Sequence, residues 1–255
     1  MTTQASIQLE KHLVDVEVIG DEKKGNGRWL SLHEVKFLDP SGIERSWEVC
    51  RRISAGTSNK SNKVPGTPSV DAVDVIPIIK TRCSQDKNKG HDQDQNQDQE
   101  QSEATHVALV IQYRPAMGAY TIEFPSGLID ANESSTEAAL RELAEEVGYS
   151  EHLGHSVKVI KTLDPIAVAY EPGMTNSCSH VVIVEITMNH HQIFGSGSIR
   201  RPTPEDDEWS LQVVILPLKG LMNSLIELQS TAGESSKLVL DSRLYAWALG
   251  RELAY

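Results

Sequence analysis

The chain has 255 residues, 39% of them hydrophobic and 24% charged, which is ample length and apolar content for a buried core. Its formal net charge of -12 excludes the basic footprint of a nucleic-acid-binding protein. Small anionic substrates stay open, because a bound cation can invert the local field.

Two strands of a hairpin come first. GRWLSLHEVKFLD runs out, DPSG at 39–42 supplies turn chemistry, and IERSWEVCRR runs back. Residues 54–69, SAGTSNKSNKVPGTPS, read as a linker, so 1–53 form a small N-terminal antiparallel β subdomain and 70–255 the main domain. In that domain AVDVIPIIK (72–80) and HVALVIQYRP (106–115) read as buried strands. The Asp/Gln-rich insertion between them, 82–104, cannot bury apolar surface and is expected to be disordered. AYTIEF is a strand, and the acidic segment that follows is a loop leading into a helix. VKVIKTLDPIAVA, SHVVIVEITM and LQVVILP are further strands, with the charged loop RRPTPEDDEWS before the last. LKGLMNSLIELQS and DSRLYAWALGREL close the chain as helices. Strands and helices mix without a regular βαβ period, which predicts an α/β (α+β) fold with a mixed sheet.

Cys50, Cys83 and Cys178 are too scattered for a disulfide framework or a CxxC metal pair, which suits a reducing compartment. The first twenty residues lack a signal peptide's basic and apolar regions, and no run approaches the roughly 18 apolar residues of a membrane span. The expected location is the cytoplasm, with nuclear entry left open, and neither nucleic acid nor membrane as partner.

The segment GLIDANESSTEAALRELAEEVGY, 127–149, carries the chemistry. Ser134-Ser-Thr-Glu137 matches a capping box, Leu140, Leu143 and Val147 make an apolar stripe, and Gly148 suits a stop. The predicted helix covers about 135–147. Glu142 and Glu146 then lie one turn apart with Glu145 beside them, and like charges at that spacing repel. Two adjacent glutamates alone read most simply as a solvated face. Three carboxylates converging on one turn suit a hard cation, Mg²⁺ with Mn²⁺ as the alternative, and the absence of His or Cys among them disfavours zinc.

The full spacing, G-x5-E-x7-R-E-L-x-E-E-x-G, resembles the box of the Nudix hydrolases, with Tyr149 where the general pattern has a bulky aliphatic residue. The resemblance implies a Nudix fold, with a mixed sheet sandwiched between helices. It implies that Glu142, Glu145 and Glu146 bind Mg²⁺, joined by the backbone carbonyl of Ser126, while Glu133 and Arg141 brace the box. QYRPAMGAYTIEFPSGLID further resembles the ADP-ribose/ADP-sugar pyrophosphatase branch, and that similarity extends from GRWLSLHEV to DSRLYAWAL. In that branch the equivalents of Trp29 and Trp47 sandwich adenine from two subunits of a swapped homodimer, where otherwise they would be core aromatics. Glu48 would bond the adenine edge, and Arg52 and Arg114 the diphosphate, with Arg51 competing with Arg52 by one residue of register. Glu171, in YEPGMTNS, would approach the terminal ribose, although one member of that branch has aspartate there. PEDDEWS would supply the catalytic base, with Glu208 the best match and Glu205, Asp206 and Asp207 as substitutes. With Glu142 and Glu146 it completes the catalytic set. The implied reaction is Mg²⁺-dependent hydrolysis of ADP-ribose or another ADP-sugar to AMP and a sugar phosphate. The alternatives are another nucleoside diphosphate derivative, or a non-catalytic module that binds ADP-ribose.

Overall fold

The computed structural model describes residues 16–52, 69–82, 104–153, 155–163, 166–189, 209–232 and 237–254. The chain divides into two units, one running to Asp71 and including Ala167–Ser179, the other holding Ala72–Ile166 and His180–Tyr255. The linker and the Asp/Gln-rich insertion lie almost wholly outside the described residues.

The first unit is built on a three-stranded antiparallel sheet, β1 (Glu17–Asn26), β2 (Leu30–Leu38) and β3 (Glu44–Arg52). The β2–β3 hairpin is the one predicted. Asp39 closes its turn by accepting from the amides of Ser41 and Ile43 at 2.9 and 3.0 Å, and Gly42 takes φ +78°. Strand β1 is an addition to the predicted pair. Its sequence, EVIGDEKKGN, lacks the apolar alternation of a half-buried strand, and its residues are mostly exposed. Pairing with β2 and ion pairs such as Lys24–Glu34, at 2.7 Å, hold it instead. A short strand, β9 (Val168–Ala169), pairs with Cys178 and Ser179 at the start of β10 (Ser177–Asn189).

The second unit carries the larger mixed sheet, ordered β12-β6-β5-β4-β10-β8, with β11 on β5 and β7 on β4. Its strands are β4 (Ser69–Arg82), β5 (Thr105–Arg114), β6 (Ala119–Glu123), β7 (Ser126–Leu128), β8 (Ser156–Thr162), β10, β11 (Gln212–Pro217) and β12 (Leu238–Leu240). Strands β6 and β12 pair in parallel, Tyr120 to Leu238 through Ile122 to Leu240. Strand alternation sorts the side chains to two faces. Val73, Val75, Ala108, Val110, Val182 and Val184 pack with Ala138, Ala139, Leu143 and Val147 of the acidic helix. Ile76, Val107, Leu109 and Ile122 pack with Leu221 and Leu225 of α2 (Leu221–Thr231) and Leu244 and Ala248 of α3 (Ser242–Glu252). The mixed sheet thus has helices against both apolar clusters, as the sequence predicts. Among the described residues, no helix is long and apolar enough to cross a membrane.

The acidic helix begins as predicted. Helix α1 (Ser135–Glu142) is capped by Ser134, whose Oγ accepts from Glu137 N at 3.2 Å while Glu137 Oε2 accepts from Ser134 N at 2.8 Å. Ser134→Ala should therefore cost about 1 kcal/mol. Thermal unfolding would show this as a fall of about 2–4 °C in Tm for a unit of this size.

Two features depart from expectation. The helix is α only to Glu142, and Leu143–Val147 form a π turn before Gly148 ends it at φ +79°. The α and π turns present the same residues in the same order, so an apolar stripe at spacings of three and four does not separate them. The segment before the helix, read as loop, opens with β7, whose Ser126–Leu128 pair with Asp74–Ala72 of β4.

Candidate active site

The glutamates of the box leave the helix at two depths. Glu142 and Glu146 are buried, at 7% and 3% exposure, whereas Glu145 is exposed. Burying a carboxylate is costly unless cations or hydrogen-bond donors meet it. Arg141 supplies the cation for much of the box. Its Nε and Nη2 donate to Glu133 at 2.9 and 3.0 Å, its Nη2 also to the Leu128 carbonyl at 2.8 Å, and its Nη1 to Glu142 at 2.7 Å and Glu145 at 3.0 Å. The hydrogen bond that Arg141 donates to Glu133 leads the causes that hold the Arg141 guanidinium firmly protonated, against desolvation. Glu133 is in turn held below the usual carboxylate range, chiefly by Arg141. The bracing expected of Glu133 and Arg141 is present, and Arg141 reaches two of the expected metal ligands as well.

Strand β7 lies against the two buried acids. The amide of Ser126 donates to Glu146 Oε2 at 2.9 Å. A Cβ added to Gly127 would stand 1.7 Å from Glu142 Oε1, so the carboxylate fills the space a side chain would need. Tyr149, the departure from the box pattern, is buried, with its ring edge-to-face on His155 at 5.0 Å between centroids.

Among the described residues, no three His, Cys, Asp or Glu side chains are gathered as a metal would require. Glu142 and Glu145 turn to Arg141, and Glu146 turns to Ser126. The donor chemistry nevertheless fits Mg²⁺: hard carboxylate oxygens, two of them buried, beside a glycine that leaves Glu142 room.

Arg114, at the end of β5, forms a two-pronged ion pair with Glu123 of β6, 2.7 Å at each prong, and Thr121 Oγ1 also donates to Glu123. Its own hydrogen bonding to Glu123 is the largest cause raising the pKa of Arg114, desolvation opposes it, and the charge of Glu146 adds to it. Arg114 therefore shares an electrostatic environment with the box. Glu123 was not singled out in the sequence; a lone acid in the strand AYTIEF was the available signal.

The other predicted substrate residues described here lie in the first unit. Trp29 and Trp47 are exposed, at 58% and 57%, so neither is a core aromatic within one chain. Arg28 lies over the Trp29 ring, 4.6 Å from its centroid. Trp47 Nε1 donates to the Gly173 carbonyl at 2.8 Å, which brings the loop containing Glu171 to the ring. Trp47 borders an open groove of about 410 Å³ lined by Val18, Val35, Phe37, Val49 and Met174, among others. Alternation along β3 puts Glu48 and Arg52 on the opposite face from Trp47 and Arg51. Arg51 is engaged by Asp21, whereas Arg52 is exposed. That separates the two arginines between which the register was open, and leaves Arg52 at the surface. Glu171 is exposed, and its carbonyl accepts from the amides of Met174 and Thr175. Glu208, with Glu205, Asp206 and Asp207, lies outside the described residues.

A model of the NUDIX domain matches residues 96–218. The chain is 32% identical to a mouse ADP-sugar pyrophosphatase over 240 residues, which is 94% of this chain and 87% of the relative. It is 31% identical to an ADP-ribose pyrophosphatase of Saccharomyces cerevisiae over 162 residues, 64% of this chain and 54% of the relative. A crystal structure of an ADP compounds hydrolase superposes with a TM-score of 0.51 at 20% identity, covering 84% of each chain, a likeness of fold.

Proposed function

Because the chain belongs to the Nudix family, whose members hydrolyse nucleoside diphosphate derivatives, the question is the substrate, and we propose ADP-ribose and related ADP-sugars, cleaved to AMP and a sugar phosphate. The observation that carries this reading is Trp47, an exposed ring pinned to Gly173 beside an apolar groove. Such a ring is a ready stacking plane for a base. The names of the mouse and yeast relatives point the same way.

In this reading Trp29 and Trp47 hold adenine from two chains of a homodimer with exchanged N-terminal units. Their exposure in the single chain suits that arrangement. Glu48 takes the adenine edge, Arg52 and Arg114 the diphosphate, and Glu171 the terminal ribose. Planar guanidinium forks match phosphate oxygens, and Glu123 fixes the fork of Arg114 in advance.

The family generally uses Mg²⁺, and Glu142, Glu145, Glu146 and the Ser126 carbonyl are the groups that would hold it here. When bound, it supplies charge neutralisation of the diphosphate and acidification of water. Gly127 makes room for the Glu142 carboxylate, and Ser126 N–H orients that of Glu146. Glu208 is the proposed acceptor of the proton lost by the attacking water.

The test is a substrate panel on the purified full chain, with and without Mg²⁺, read as the nucleoside monophosphate released from each substrate. ADP-ribose and ADP-sugars should exceed UDP-sugars and oxidised guanine nucleotides, which lack the adenine edge that Glu48 would bond, by at least about tenfold in kcat/KM. Trp47→Ala should raise KM for ADP-ribose by about tenfold with a smaller change in kcat. Binding of ADP-ribose without AMP release would instead make the protein a sensor, and equal rates across the panel would remove the adenine assignment.

A further inference from the structure

Asp74 is the only charged residue in the stretch AVDVIPII of β4, and it is 2% exposed. A carboxylate at that depth is strongly destabilising unless it is paired. Its partner is Arg243, in the first turn of α3, 169 residues away, whose Nη1 donates at 2.7 Å. Arg243 is itself fixed by the cap of its helix. Its Nε and Nη2 donate to Asp241 at 3.0 and 2.8 Å, and Asp241 also accepts from the amides of Arg243 and Leu244. The guanidinium thus has its plane set by one acid while it grips another.

What Asp74 holds is the strand beside the box. In the β4–β7 ladder Asp74 stands opposite Ser126, and Val73 opposite Gly127. Ser126 gives its amide to Glu146, and Gly127 gives its open face to Glu142. The two buried carboxylates of the box therefore both rest on the short strand whose register Asp74 shares. Arg243 is also near enough to Arg114 for its charge to oppose that of Glu146 there. One ion pair joins α3 to the floor of the site.

We infer that Asp74 and Arg243 are positioning residues: their ion pair fixes β7, so that Ser126 N–H and the Gly127 backbone hold Glu146 and Glu142 ready for a divalent cation. This rests on the proposed reading of the box as a cation site. Neither residue has to touch substrate for the effect, because the fixed element is the backbone of β7.

The test compares Arg243→Lys, which keeps the charge and loses the fork, with Asp74→Asn, which keeps the shape and loses the charge. Amide exchange of metal-free protein by NMR is the first measurement. The Ser126 amide should exchange about tenfold or more faster in both variants, while that of Leu109 in β5 stays as in the parent. The second is Mn²⁺ titration without substrate, where the dissociation constant should rise by about 10- to 100-fold. The third is kinetics, where kcat should fall by a similar 10- to 100-fold with KM for ADP-ribose within about threefold. Unchanged exchange at Ser126 and unchanged Mn²⁺ affinity would overturn the inference. A rise in KM alone would also overturn it, since that marks a substrate contact. Unfolding of both variants would do the same, because the pair would then serve the fold and not the site. Glu146→Gln runs in parallel: if it binds Mn²⁺ as the parent does, the cation reading of the box fails. The exchange at Ser126 still decides whether the ion pair positions β7.

Discussion

Glu146→Gln should lower kcat for ADP-ribose by about 10²- to 10⁴-fold while leaving the protein folded. The side chain is 3% exposed and accepts the Ser126 amide at 2.9 Å. Glutamine has the same shape and keeps a carbonyl oxygen for that amide, so the link to β7 survives. What is lost is one negative charge at a buried point beside Arg114, whose protonation the Glu146 charge supports. Removing a buried charge also removes its desolvation cost, so Tm should hold or rise. Purified variant and parent, compared with ADP-ribose and Mg²⁺ alongside thermal unfolding, settle the matter. Turnover equal to the parent would end the assignment of this helix to the chemistry.

Gly127→Ala should be nearly as damaging, for a steric reason. The new Cβ would stand 1.7 Å from Glu142 Oε1 and 2.0 Å from its Cδ, far inside contact distance. The carboxylate is the movable end of a flexible side chain, so it yields and the backbone stays. Activity should then fall by about 10²-fold, the cost of moving a reactive group by about an ångström. Stability should change far less than activity. Gly250→Ala is the matched control. A Cβ there meets nothing within 4 Å, in the last turn of α3, and should leave activity alone while adding up to about 1 kcal/mol of stability. If Gly127→Ala kept parental kcat, the close seat of Glu142 would have no functional weight.

Local rules carried most of what could be read from the sequence. The capping box at Ser134 and Glu137 and the stop at Gly148 are decided within a few residues, and both are present. The apolar stripe Leu140, Leu143 and Val147 faces the core because a helical period leaves it no other face. The brace between Glu133 and Arg141 spans eight residues and was implied by the family pattern. Long-range pairing was not legible. Nothing near Asp74 in the chain announces Arg243, and a buried acid among the apolar residues of β4 tells only that some partner must exist. The π turn escaped because residue order is blind to which carbonyl each amide chooses. Strand β1 escaped because ladder hydrogen bonds and ion pairs, not apolar burial, hold it. The expected base, Glu208, and the Asp/Gln-rich insertion lie outside the described residues.

Arg141 has a thermodynamic consequence. Its Nη1 already binds Glu142 and Glu145, so a divalent ion arriving at those carboxylates takes part in an exchange between two positive partners. The affinity for such an ion would then be the difference between two pairings, and weaker than the same carboxylates would show without the guanidinium. In return, the carboxylates are never left to repel one another, whichever partner they hold. With a cation bound, the box would act as a valve with two closed positions, one internal to the protein and one shared with the ion.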